Sequence, residues 1–226
     1  MSNPETASFA RPGILISARR IRRRVNEIAR EIAGRCGPGP LVAVAILKGS
    51  FVFAADLARA LSDRGLHLAM DFLTLSSYGS GTTSASRIAT LQDIGVDVAR
   101  QRVLLIDDIL DTGRTLQAAR DRLLAKGARE VLTCVLLDKP ARRIVSIQAD
   151  YVGFNVDNVF VVGYGLDFDN RYRNLPYLAV LPPGVAGEKP CSNSRPSVNR
   201  SLPPRLDRNP RAVRSRAGAD TWPRGC

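Results

Sequence analysis

The spacing of apolar positions changes repeatedly along the first 140 residues, and each change predicts an element boundary. In ARRIRRRVNEIAREIAGRC (18–36), Ile21, Val25, Ile28 and Ile32 recur at helical spacing, which predicts an amphipathic helix closing at the Gly-Pro-rich GRCGPGP. The arginines at 19, 20, 22, 23 and 24 are expected on its solvated face. LVAVAIL (41–47) is apolar without alternation, as in a strand covered on both faces, and KGS then leads into a helical stretch, FVFAADLARALSDRG. A second strand, HLAMDFLTL, runs into SSYGSGTTSASR, whose Ser, Thr and Gly content reads as a mobile loop. VLLI (103–106) is a third strand. RTLQAARDRLLAK is a helix with Leu116, Ala119, Leu123 and Leu124 inward and Gly127 near its C-cap, and EVLTCVLL is a fourth strand.

This alternation predicts an α/β fold, a central mainly parallel sheet with helices on both faces. After Asp138 the apolar pieces DYVGF, VFVVGYG and YLAVL follow too closely for crossover helices, and a small subdomain or sheet edge is expected. From Pro183 onward the chain is rich in Pro, Ser, Asn and Arg without apolar periodicity, and a disordered basic tail is expected over 183–226.

Charge adds less than its sum suggests. Of the net +12, the tail holds +6 (nine Lys/Arg less three Asp/Glu), leaving +6 for residues 1–182. The tail has one aromatic residue, Trp222, and no stacking pattern, so nucleic acid is not expected as a partner. No run approaches the roughly 20 apolar residues of a membrane span and the first residues lack a secretory pattern, so a soluble, cytoplasmic protein is expected. Cys36, Cys134, Cys191 and Cys226 form no C-x-x-C pair and read as free thiols, and His67 stands without candidate partners.

The chemistry concentrates in VLLIDDILDTGRTL (103–116). Ligands of open parallel sheets bind beyond the carboxyl ends of the strands, where this strand delivers Asp107 and Asp108. Asp111, Thr112, Gly113, Arg114 and Thr115 then span the turn into a helix whose free amides and dipole favour an anion such as phosphate. Paired carboxylates for hydroxyls beside a phosphate cradle suit a phosphorylated sugar. The alternative is structural: Asp111 as an N-cap and Asp107 and Asp108 as ordinary strand-end acids. A Walker A loop and a dinucleotide fingerprint are excluded by spacing.

VLLIDDILDTGRTL resembles the phosphoribosyl diphosphate (PRPP) signature of type I phosphoribosyltransferases, and the chain surrounding it resembles the hypoxanthine-guanine branch of that family. The resemblance covers roughly residues 14–181 through AILKGSFVFAADL, DFLTLSSYGSGTTS, the signature itself, and LLDKPARR with DYVGFNVDNVFVVGYGLDFDNRYRNLPY. It implies a type I phosphoribosyltransferase fold over 1–182, with a hood built from the N-terminal segment and about 138–181. The activity implied is transfer of phosphoribose from PRPP to hypoxanthine or guanine, with Mg²⁺ as cofactor and a homodimer or homotetramer as the assembly.

By the same resemblance, Asp107 and Asp108 hold the ribose hydroxyls, Asp111 to Thr115 cradle the 5′-phosphate, and Asp111 is the general acid/base near purine N7. Lys48 and Gly49, with a cis peptide bond between them, and Arg173 bind pyrophosphate. Lys139 donates to the purine 6-oxo group, Tyr151 stacks on the base, Val152 reads its 2-position side, and Asp157 helps hold Mg²⁺. Ser77 and Tyr78 open a loop that closes over the site. The family's usual Glu-Asp pair is Asp107-Asp108 here, shorter by one methylene. A rival reading on the same fold is a nucleotide-sensing, RNA-binding regulator.

Overall fold

The computed structural model describes residues 13–78 and 87–181. Helix α1 (Ala18–Cys36) starts at Ser17, whose side chain accepts a hydrogen bond from the Arg20 amide, and stops at Gly37, where φ is +69°. It buries Ile21, Val25, Ile28 and Ile32, the stripe read from the sequence, together with Ala29. The arginine face differs at one position. Arg24 lies on the flank of the apolar stripe and reaches the edge of the sheet, its Nη2 donating to the Val152 carbonyl at 2.9 Å and its Nε to that of Gly153 at 3.2 Å.

The main sheet has the order β4-β3-β2-β5-β6-β7. Its strands are β2 (Gly39–Leu47), β3 (Leu66–Tyr78), β4 (Arg87–Gln92), β5 (Arg102–Leu110), β6 (Glu130–Asp138) and β7 (Tyr151–Asn155). All neighbours are parallel except β4, which pairs antiparallel with β3. The first three residues of the expected loop are strand instead. Ser76, Ser77 and Tyr78 continue β3 and pair with Ala89, Ile88 and Arg87, while residues 79–86 lie outside the described part of the chain.

Helices α1 and α2 (Phe51–Ser62) cover one face, packing on Ala43, Ala45, Leu104, Ile106 and Cys134. Helix α3 (Arg114–Ala125) covers the other with Val42, Val44, Val103, Leu105 and Val135. In α3, Leu116, Ala119 and Leu123 are buried as expected, whereas Leu124 is 41% exposed, one residue past the inward stripe. A second sheet, β1-β9-β8, joins β1 (Gly13–Ile16), β8 (Val161–Val162) and β9 (Leu178–Val180). The late apolar pieces thus separate: DYVGF enters the main sheet as β7, and the other two build the small one.

Cys36 and Cys134 are free thiols, with Cys134 buried. Among the described residues no helix is long and apolar enough to cross a membrane. The tail from 183 lies outside the described residues.

Candidate active site

The carboxyl ends of β2, β5 and β6 meet around β5. Asp107 is 5% exposed and Asp108 half-buried, with the Asp108 amide donating to Asp107 Oδ1 at 3.0 Å and the Ile109 amide to Asp108 Oδ1 at 2.8 Å. Burial and then the neighbouring Asp108 charge hold the Asp107 carboxyl well above its usual range. Burial also raises Asp108, against a downward pull that includes the Arg173 charge. Two acids placed so that ionising both is costly are poised for hydroxyl donors or a cation.

The turn after β5 is walled by a segment the sequence did not flag. Thr112 O accepts from the amides of Ile144 and Val145, both at 3.0 Å. Gly113 has φ +86°, and a Cβ there would lie 2.7 Å from Ile147 Cγ2 and 3.2 Å from Arg143 Cδ. Only glycine fits this turn at the start of α3, where the Arg114 amide donates to Thr112 Oγ1 at 3.4 Å. Arg143 joins the strand ends: its Nη1 donates to the Asp111 carbonyl at 2.7 Å, and it pairs with the Asp138 carboxylate.

On the β6 side Lys139 is 7% exposed and its Nζ donates to Val159 O at 2.7 Å. Burial lowers its pKa, with the Asp111 charge opposing. Arg142 Nε approaches Asp111 Oδ1 at 2.7 Å as an ion pair, yet off the direction of a hydrogen bond, so this buried oxygen accepts none. Beyond Val159 the Phe160 ring is 43% exposed and meets Phe168 edge-to-face, centroids 5.6 Å apart.

On the β2 side the Leu47–Lys48 peptide bond is cis, one bond before the position expected. The break falls where β2 ends at Leu47, and Gly49 answers to a separate requirement. A Cβ on Gly49 would lie 1.5 Å from Asp108 Oδ2. From the other side Gly165, at φ +102°, packs so closely that its Cβ would lie 2.1 Å from Gly49 O. Arg173 Nη1 donates to Gly165 O at 2.7 Å, and its Nη2 pairs with Asp167 Oδ1 at 2.7 Å.

A model of the phosphoribosyl transferase domain matches residues 15–169. The chain belongs to this family. The bifunctional protein TilS/HprT of Listeria innocua is 44% identical over 176 residues, 77% of the chain, although the chain spans only 26% of that relative's length. The hypoxanthine-guanine phosphoribosyltransferase of Aquifex aeolicus is 46% identical over 164 residues, covering 72% of the chain and 90% of the relative. Among solved structures, a hypoxanthine phosphoribosyltransferase from Staphylococcus aureus superposes with a TM-score of 0.73 at 38% identity, over 77% of the chain and 94% of the other. The fold is that of the type I phosphoribosyltransferases.

Within this family framework, Lys48, Gly49, Asp107, Asp108, Asp111–Thr115, Lys139 and Arg173 gather at one sheet edge, and three other expected residues do not. Tyr151 pairs in register with Cys134 and Val152 with Val135, so both sit in mid-sheet rather than at the carboxyl end of β7, which is Asn155. Tyr151 is 7% exposed, and its hydroxyl is buried without a hydrogen-bond partner. The Val152 carbonyl is taken by Arg24. Asp157 is exposed and borders a 580 Å³ cavity lined by Leu15, Arg20, Phe154 and Val180 on the hood side. The aromatic residue that follows Val159, the partner of Lys139, is Phe160, and the carboxylate paired with Arg173 is Asp167. A parallel strand presents its last residues at the ligand edge, and applied to DYVGF that rule alone disfavours Tyr151 and Val152, the first two residues of β7.

Proposed function

We propose that the chain is a purine salvage enzyme, a pentosyl transferase that moves the 5-phosphoribosyl group from PRPP to N9 of hypoxanthine or guanine, giving IMP or GMP and pyrophosphate. One observation carries this reading: Asp111, whose buried Oδ1 accepts no hydrogen bond although Arg142 Nε pairs with it at 2.7 Å, stands on the same turn as the phosphate cradle, and its charge acts on Lys139. A group that holds a proton for a heterocycle is thereby fixed relative to the anchor of the sugar.

The α3 amides with Thr112, Gly113, Arg114 and Thr115 bind the 5′-phosphate, and Asp107 and Asp108 accept from the ribose hydroxyls. Lys139 donates to the 6-oxo group, Asp111 exchanges the N7 proton, and Phe160 takes the stacking role expected of Tyr151. The 2-position edge falls to the backbone beside Phe160 instead of Val152. Lys48, Gly49 and Arg173 hold the departing pyrophosphate.

Among the described residues no three His, Cys, Asp or Glu side chains cluster as a metal site. The donor set nevertheless fits Mg²⁺, which keeps water and substrate oxygens and asks for only one or two carboxylates. Asp108 and Asp167 flank the Gly49 turn and replace Asp157 in that role. When bound, the ion would offset charge on the diphosphate leaving group.

The same reading takes 1–182 as the catalytic domain, small molecules as its partners, the cytoplasm as its compartment, and a homodimer or homotetramer as its assembly. The test is pyrophosphate release from PRPP and Mg²⁺ with hypoxanthine, guanine, xanthine and uracil in turn, with Asp111→Asn beside the parent. Turnover with a 6-oxopurine that falls about 10²-fold in the variant supports both reaction and role. No turnover with any base sinks the proposal.

A further inference from the structure

Three consecutive residues of the hood, Gly163, Tyr164 and Gly165, have φ of +97°, +49° and +102°. Glycine accepts such values readily, but a bulky aromatic residue does so only where the surroundings over-determine it. Tyr164 is 6% exposed, its amide donates to Leu175 O at 2.8 Å, and its hydroxyl donates to Asp56 Oδ2 on α2 at 2.5 Å. The other Asp56 oxygen pairs with the exposed Arg59. The hydroxyl is thus the one polar atom of a buried ring, and it is spent on a helix whose first turn follows directly from Lys48-Gly49-Ser50.

The next residue explains why the anchor matters. Gly165 rests on the Gly49 carbonyl, and Gly49 in turn leaves no room for a side chain against Asp108. Arg173 is fastened to the same turn twice, its amide oxygen accepting from Gly165 N at 3.0 Å and its guanidinium donating to Gly165 O, while it holds Asp167. A chain of close contacts therefore runs from α2 through Tyr164 and Gly165 to Gly49 and Asp108, and it carries both Arg173 and Asp167.

We propose that Tyr164 is a positioning residue for the diphosphate half of the site, with Asp56 as its anchor. The inference rests on the PRPP reading above. Without the hydroxyl bond, turn 163–165 loses its tie to α2, so Arg173 and Asp167 no longer keep a fixed distance from Gly49 and Asp108. The base side, held separately through Lys139, Val159 and Arg143, is untouched. A substitution at Tyr164 must then separate the two substrates.

Tyr164→Phe keeps the ring and removes one hydrogen bond. KM for PRPP should rise about fivefold, with kcat and KM for hypoxanthine within about twofold of the parent. Asp56→Asn, which keeps an acceptor, should behave like the parent. Asp56→Ala should match Tyr164→Phe, and the double variant should be no worse than either single one. Calorimetric titration of PRPP with Mg²⁺ should show the same fivefold ratio without turnover. Equal changes in both KM values, or a lowered melting temperature with KM for PRPP unchanged, would mean that the bond only packs the hood and would overturn the inference. A parent that neither binds PRPP nor turns it over defeats the functional reading and this inference with it, whereas an active parent with an indistinguishable Tyr164→Phe defeats the inference alone.

Discussion

The two ends of β5 and β6 carry the same residue types in opposite electrostatic states. At the amino end Arg102 Nε meets Glu130 Oε2 at 2.6 Å, and Arg35 bridges Glu130 and Asp150 at 3.0 Å each. The Arg102 bond first, then Arg35, hold Glu130 below its usual range. Burial works against Asp150, but the amide and hydroxyl of Thr133 together with Arg35 bring it below its usual range as well. At the carboxyl end burial and mutual repulsion raise Asp107, and Asp108 is raised beside it. One end has satisfied its charges internally and the other leaves a cost unmet, which is the mark of a place where something binds.

The comparison breaks most sharply at Gly49. Gly49→Ala must displace Asp108, so kcat/KM for PRPP should fall about 10²-fold, the scale of an ångström-sized misplacement of reacting groups. Arg102→Met at the opposite end should lower the melting temperature and leave kcat/KM within about twofold. If Arg102→Met damaged catalysis as much as Gly49→Ala, the two ends would not be separable and the contrast would fail.

Next in size is the response to ligand. PRPP with Mg²⁺ at about a hundred times Kd should stabilise the parent by about 2.7 kcal/mol, read as an upward shift in melting temperature. Asp107→Asn removes the buried repulsion, so the ligand-free variant should melt about 2–4 °C higher than the parent and show a smaller ligand-induced shift. A variant that melts lower without ligand would mean that the pair is not under strain. On the base side, Phe160→Ala should raise KM for hypoxanthine about tenfold, the loss of one stacking partner, while Tyr151→Phe leaves it unchanged. The reverse result would return the stacking role to β7.

These contrasts also mark what the sequence could reveal. Asp107 to Thr115 were legible because the strand end, the turn and the helix start are one continuous run, so order along the chain is order in space. The partners across the site were not. Arg143 and Ile147 wall the Gly113 turn from a segment without periodicity, Phe160 lies in the irregular stretch just before β8, and Asp167 lies between the left-handed Gly165 and Asp169, where apolar spacing does not say which side chain faces out. β4 was hidden because Ser76–Tyr78 pair as strand despite a polar composition typical of loops. Arg24 was read as solvated because a long side chain on the flank of a helix can reach buried carbonyls that sequence spacing does not show.

The smallest expected effect concerns pH, and its sign differs between the two ends. A carboxylate lowered by folding stabilises fully above its ordinary pKa and loses that contribution as pH falls through the folded value. Glu130 and Asp150 belong to this class, so the penalty of Arg35→Met should be present at pH 7 and fade below about pH 4, where both partners become protonated with or without Arg35. The side chains are 30–48% exposed, so solvent screening keeps the penalty small. Asp107 runs the other way: raised by folding, it costs stability at neutral pH and releases that cost as pH falls toward the ordinary carboxylate range. Melting curves of the ligand-free protein and of Arg35→Met between pH 3 and pH 8 should therefore converge in acid, whereas those of the parent and Asp107→Asn should converge from their largest separation near pH 7. Parallel curves for either pair would show that the ionisation of that end does not couple to folding.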